Sequence, residues 1–175
     1  MTRQPYESIS PHLREFRIFI EKLNEESDRG AVLISTGFLE EQLKQTLLAY
    51  FIDDKTLIAL VEGGNAPLGT FSARITTCYA LGLIYEREHH DLNQLRRIRN
   101  DFAHSMHVSF ETQSVIDRCK TLHSKAHDYD SEELGQVRVS PAGQFRSAAT
   151  GLILNLVNRP HYVGKERRST KSWDY

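Results

Sequence analysis

The sequence predicts an all-α protein, folded as a single-domain bundle of about six or seven helices. Three observations carry this. Apolar residues recur at spacings of three and four through successive windows of the chain. Period-two alternation is confined to the brief stretch QVRVS at 136–140. Finally, the 175 residues contain no internal repeat or low-complexity tract, so one core is the economical reading.

The elements follow in order. Ser10 is placed to cap a first helix from Pro11 to about Asn24, with Leu13, Phe16, Ile20 and Leu23 on one side. A second helix begins after Asp28, read as its N-cap, and runs to about Ile52 with Val32, Leu39, Leu43, Leu47 and Tyr50 along one stripe. This is the most apolar long helix and the expected centre of the core. A short helix over Lys55 to Val61 precedes EGGNAPLGT (62–70), where Gly63, Gly64, Pro67 and Gly69 make turns and Leu68 and Phe71 plug the junction. A helix from Thr70 carries Ile75, Cys78, Tyr79, Leu81 and Leu83, with Gly82 loosening its end. The next spans about Arg87 to Phe102. A sixth covers about Thr112 to Lys125 with Val115, Ile116, Cys119 and Leu122 inward, and the last covers Gly143 to Asn158, stopped by Pro160. HDYDSEELGQVRVS reads as a long polar loop. Residues 1–162 form the domain, and 163–175 form a polar, partly basic, flexible tail holding Lys165, Arg167, Arg168 and Lys171.

Composition excludes several classes of function. With 39% hydrophobic residues, 26% charged and a net charge of -1, the chain lacks the basic excess of a general nucleic-acid binder, so any such contact must come from a local patch. Cys78 and Cys119 stand apart in no paired motif, as expected of free thiols in a reducing compartment. The N-terminal MTRQPYESIS has no apolar core for a signal peptide, and no stretch approaches the roughly 18 apolar residues that span a bilayer. A cytoplasmic protein without membrane contact is expected.

One stretch, RRIRNDFAHS at 96–105, concentrates candidate chemistry. On a wheel of ~100° per residue, Leu92, Leu95, Ile98 and Phe102 form an apolar arc, and Arg99 falls inside it. An arginine there must snorkel or find a partner; Glu40, at the edge of the second helix's stripe, is the expected carboxylate. Arg96, Asn100 and His104 stand four apart as a polar ridge, while Arg97 and Asp101 form an exposed pair. Arg99 and His104 are five apart, about 140° round the helix, so they share a site only if the helix frays before His104 or a second subunit brings its copy alongside. Chemically, the imidazole can take a proton from a ribose 2′-hydroxyl, the arginine can hold phosphate, and the asparagine can orient either. That set suffices for metal-independent RNA cleavage.

Two resemblances bear on these residues. Arg99-Asn100-Asp101-Phe102-Ala103-His104 resembles the arginine, polar residue, three residues, histidine motif of HEPN domains, many of which are dimeric ribonucleases. That likeness implies His104 as general base, Arg99 on the phosphate and Asn100 positioning one of them. From about Arg29 to His104, the RGAVLISTGFLEEQLKQTLLAYF helix, the Gly-Asn-Ala-Pro-Leu-Gly loop at 64–69, the FSARITTCYALGLI helix and the later helix ending in histidine resemble the mannitol operon repressor (MltR) family. This second likeness implies an all-helical regulator of transcription.

No pair of short helices joined by a tight turn, with a basic second member, stands out as a DNA-reading unit. The expected mode of regulation is therefore contact with a regulatory protein, with Arg96, Arg97 and Glu40 as candidate binding residues and a homodimer as the expected assembly. An RNA-cleaving homodimer and a non-catalytic adaptor are the alternatives. The histidine pairs His104/His107 and His123/His127 lack an adjacent glutamate and a third ligand, and GGNAPLGT lacks the lysine and preceding strand of a phosphate-binding loop. No metal and no cofactor are expected.

Overall fold

The computed structural model describes residues 11–173. Among them are eight α-helices, one two-stranded hairpin and a closing 3₁₀ turn. The expected all-α bundle is the observed architecture, and Ser10 lies outside the described residues.

Helix α2 (Asp28–Tyr50) is the axis of the molecule, and α1 (Pro11–Glu25), α4 (Phe71–Ala80), α5 (Glu86–His104), α7 (Pro141–Val157) and α8 (Arg159–Val163) all pack against it. Its stripe residues Val32, Leu39, Leu43 and Leu47 are fully buried, and Tyr50 packs at the edge of the core. α1 lies over one end of α2, where Phe19 meets Phe38 with ring centroids 4.5 Å apart and Leu23 is buried. Asp28 is the first helical residue rather than the cap. Ser27, one residue earlier and in extended backbone, accepts the Gly30 N–H at 3.1 Å.

The short α3 (Thr56–Val61) leads into the glycine-rich turn, where Gly63 takes φ 103°, a conformation that disfavours a side chain. Phe71 is buried at the start of α4, and the Thr70 hydroxyl caps that helix by accepting from the Ala73 N–H at 3.2 Å. Of the apolar residues expected along this stretch, Ile75 and Cys78 are buried, whereas Tyr79 and Leu81 are exposed.

Two boundaries differ from expectation for physical reasons. The sixth helix, α6 (Gln113–Thr121), stops short of Lys125 because the backbone N–H groups of His123 and Ser124 leave the helical pattern to bond the Asp91 carboxylate. The polar segment after it is no plain loop: β1 (Tyr129–Ser131) pairs antiparallel with β2 (Gly135–Val137), in register Tyr129↔Val137, and Gly135 at φ 67° makes the reversal. The QVRVS alternation falls partly in β2. Pro160 does not stop α7 directly; α7 ends at Val157, and Pro160 sits in the first turn of α8, where its missing N–H is tolerated.

After α8, the 3₁₀ turn Gly164–Glu166 sets the chain against the end of α2, with the Arg168 N–H donating to the Tyr50 carbonyl at 2.8 Å. No described helix is long and apolar enough to cross a membrane.

Candidate functional site

α5 carries the candidate stretch through His104, and Ser105 follows as its C-cap. Its apolar arc is realised: Leu92, Leu95 and Ile98 are fully buried, and Phe102 nearly so. Arg99 stands at the arc's edge, and its side chain keeps 38% exposure. Its contacts are loose, 3.9 Å to Glu40 Oε2 and 3.4 Å to the Asn100 side-chain oxygen. The expected buried pair with Glu40 is thus a half-exposed, distant one. Glu40 is shared with Arg74 of α4, whose Nη1 lies 3.7 Å from its other oxygen. Glu40 is therefore a bridging carboxylate between α4 and α5.

The expected Arg97–Asp101 pair does not form. Asp101 turns instead to Arg118 of α6 at 2.6 Å, and Arg97 is exposed. A contact to a neighbouring helix wins because it joins two elements already packed together. Arg96 is half-buried, with its Nε enclosed and lacking a hydrogen-bond partner. His104 is exposed, and α5 stays helical through it before Ser105 turns to extended backbone. The fray that would bring Arg99 and His104 together within one chain is absent from α5, so a shared site would take a second copy.

The residues that the sequence reading passed over are more deeply embedded. Asp91 falls inside the α5 arc, between Ile98 and Phe102 on the wheel, and is completely buried. Its carboxylate accepts backbone N–H groups from His123 (2.8 Å, on Oδ1) and Ser124 (2.9 Å, on Oδ2). The Nδ1 atoms of His90 and His123 each lie 3.1 Å from the same Oδ1. Burial alone would raise the Asp91 pKa, but the bonds from His123, His90 and Ser124 outweigh it and hold the group below the usual carboxylate value. Asp91 is an anion tying α5 to the end of α6. The helical spacing from Asp91 to Leu95, Ile98 and Phe102 was the signal for it.

Two further ions sit inside. The Arg74 guanidinium donates to the carbonyls of Leu68 (2.9 Å), Val61 (3.0 Å) and Glu40 (3.4 Å), fixing α4 to the loop that precedes it. Glu88 pairs with Arg159 at 2.8 Å, and Arg159 also donates to the Leu83 carbonyl at 2.6 Å, which ties α8 to the start of α5. Burial pushes the thiols of Cys78 and Cys119 up to about 12, so both are protonated near neutrality and are packing groups, not nucleophiles.

Beside these fixtures, α4 and α5 form an open surface groove of about 530 Å³ whose walls include Tyr79, His89, Asn93 and Arg97. Tyr79 and His89 stack in it, centroids 4.2 Å apart and planes inclined by 14°. Tyr79 and Arg97 are exposed in it, and His89 and Asn93 are half-buried.

The family model described as "Mannitol repressor" matches residues 16–138. The chain belongs to the mannitol repressor family. The match runs from α1 to the residue after β2, so α7 lies beyond it even though Phe145, Ala148, Leu152, Ile153 and Leu156 of α7 complete this mannitol repressor core. Among solved structures, the chain is similar to one in the "X-ray structure of the MtlR-HPr complex from Escherichia coli", with 19% identity and a TM-score of 0.58, covering 85% of this chain and 98% of that one. That likeness concerns the fold. No curated protein matches the chain.

Proposed function

We propose that this mannitol repressor family member regulates by docking a protein, of the HPr kind, on the groove between α4 and α5. Membership of the family over residues 16–138 carries the regulatory reading. The choice of a protein partner is supported by the solved relative, whose structure is a complex with HPr. The choice of face rests on chemistry: Tyr79 is 42% exposed in the groove, and Arg97 adds a free-standing cation. Tyr and Arg are the side chains that most often dominate the energetics of a protein interface. Of the expected binding residues, Arg97 serves directly, Glu40 bridges α4 and α5 behind it, and Arg96 is half-buried on α5. The protein works in the cytoplasm.

Titration calorimetry of the chain with an HPr protein tests this. Tyr79→Ala and Arg97→Ala should each weaken binding by more than about fivefold, the effect of roughly 1 kcal/mol. Glu132→Ala, on the distant hairpin, should leave it unchanged. Equal affinity in all four proteins would place the contact elsewhere and refute the assignment.

The same reading takes the chain to be a homodimer. A solution mass of one chain, measured by light scattering, would remove that element and leave the docking proposal to its own test.

A further inference from the structure

We propose that His90, Asp91 and His123 form a binding site for one divalent transition-metal ion of the zinc class. The three residues are brought together by the packing of α5 against the end of α6, and one ligand atom from each lies within 4.8 Å of the others.

The hydrogen-bond arithmetic at Asp91 is the first argument. Oδ1 faces the His123 N–H at 2.8 Å and the Nδ1 atoms of both imidazoles at 3.1 Å, while Oδ2 faces one backbone N–H. A carboxylate oxygen has two lone pairs, so Oδ1 cannot satisfy three donors well. At least one Nδ1 is better placed as a bare lone pair, which is the form that binds metal.

The second argument is spacing. Zinc bonds to nitrogen and carboxylate oxygen are about 2.0–2.2 Å, which puts tetrahedral neighbours roughly 3.3 Å apart. The two nitrogen–oxygen separations here are 3.1 Å, close to that value, and the two imidazole nitrogens, within 4.8 Å of each other, draw together on the ion.

The third argument is access and support. Asp91 is wholly buried, but the His90 and His123 side chains are 35% and 46% exposed, so the carboxylate forms the floor and the imidazoles the rim. His90 also lines the α4–α5 groove, through which water completes the coordination. The other ring nitrogen of His90, Nε2, lies 3.4 Å from the Gln94 side-chain nitrogen, a second contact that fixes the orientation of the imidazole. Two imidazoles and one carboxylate make a donor set suited to Zn²⁺, Co²⁺ or Ni²⁺ rather than Mg²⁺. The His123/His127 helical pair is not the site, because α6 has ended before either residue.

The test uses the untagged full chain, stripped with chelator and titrated with Co²⁺ alone and then with Zn²⁺ in competition. The expected result is one ion per chain, a visible cobalt absorption band of low-coordinate N/O type that zinc abolishes, and a melting temperature that rises with metal concentration. His90→Gln and His123→Gln should each weaken binding by more than the roughly tenfold that loss of an outer supporting partner costs. His127→Gln should bind as the parent does. Circular dichroism of the metal-free variants checks that both remain folded, as half-exposed positions should. Absence of cobalt binding, or binding that survives both His90→Gln and His123→Gln in folded protein, overturns the proposal.

Discussion

Replacing Asp91 by alanine should unfold the junction of α5 and α6 more readily than any surface change on those helices. The substitution removes the acceptor of two backbone N–H groups, those of His123 and Ser124, at 2.8 and 2.9 Å. An orphaned buried donor costs about 1–3 kcal/mol. His123 is exposed and Ser124 half-buried, so water can replace part of each bond and the lower half of that range applies. The sum is about 2–4 kcal/mol, equivalent to roughly 4–16 °C in melting temperature for a domain of this size. Urea unfolding followed by far-ultraviolet circular dichroism measures it, with excess EDTA present so that the backbone bonds alone are read. Asp117→Ala on the exposed face of α6 is the control, and should change stability by less than about 0.5 kcal/mol. An Asp91→Ala effect no larger than this control would refute the view that the carboxylate anchors the end of α6.

Arg74→Lys should destabilise by about 2–4 kcal/mol although charge is conserved, because a single ammonium cannot reproduce the fork that reaches Leu68, Val61 and Glu40. The same urea titration reads it, and a change under about 0.5 kcal/mol would show the three carbonyls to be satisfied without the guanidinium. For RNA, incubation of the pure protein with structured and unstructured substrates in EDTA should leave them intact, with His104→Ala indistinguishable from the parent. Cleavage lost in that variant would instead place Arg99 and His104 in one active site formed by two copies of the chain.

Most of the fold was legible because the buried stripes are regular. Val32, Leu39, Leu43 and Leu47 on α2 and Leu92, Leu95, Ile98 and Phe102 on α5 are buried where the helical wheel puts them. Two differences share a cause, a partner distant in sequence. Asp101 was assigned to Arg97 on its own helix, but Arg118 approaches it from α6. The end of α6 was set too late because its last amides bond a carboxylate 32 and 33 residues away. The hairpin was underweighted because its strands are three residues each and mostly exposed, too short for an alternating pattern to register. Within the candidate stretch, Arg99 stands out because arginine in an apolar arc is conspicuous. The same wheel puts Asp91 inside the arc as well, toward its other end, and it is Asp91 that is fully buried while Arg99 reaches solvent. Spacing identified the groups out of place; only packing ranks them.

The central claim is that this mannitol repressor family member acts through a protein contact and not by reading base edges. The most direct measurement is one binding experiment at physiological salt that presents the chain with an HPr protein and, separately, with a panel of operator-length duplexes. A saturable one-to-one complex with HPr, alongside DNA binding that is weak and indifferent to sequence, is the predicted result. Sequence-specific duplex binding in the range of about 10⁻⁸–10⁻¹¹ M typical of specific recognition, with no complex to HPr, would contradict it.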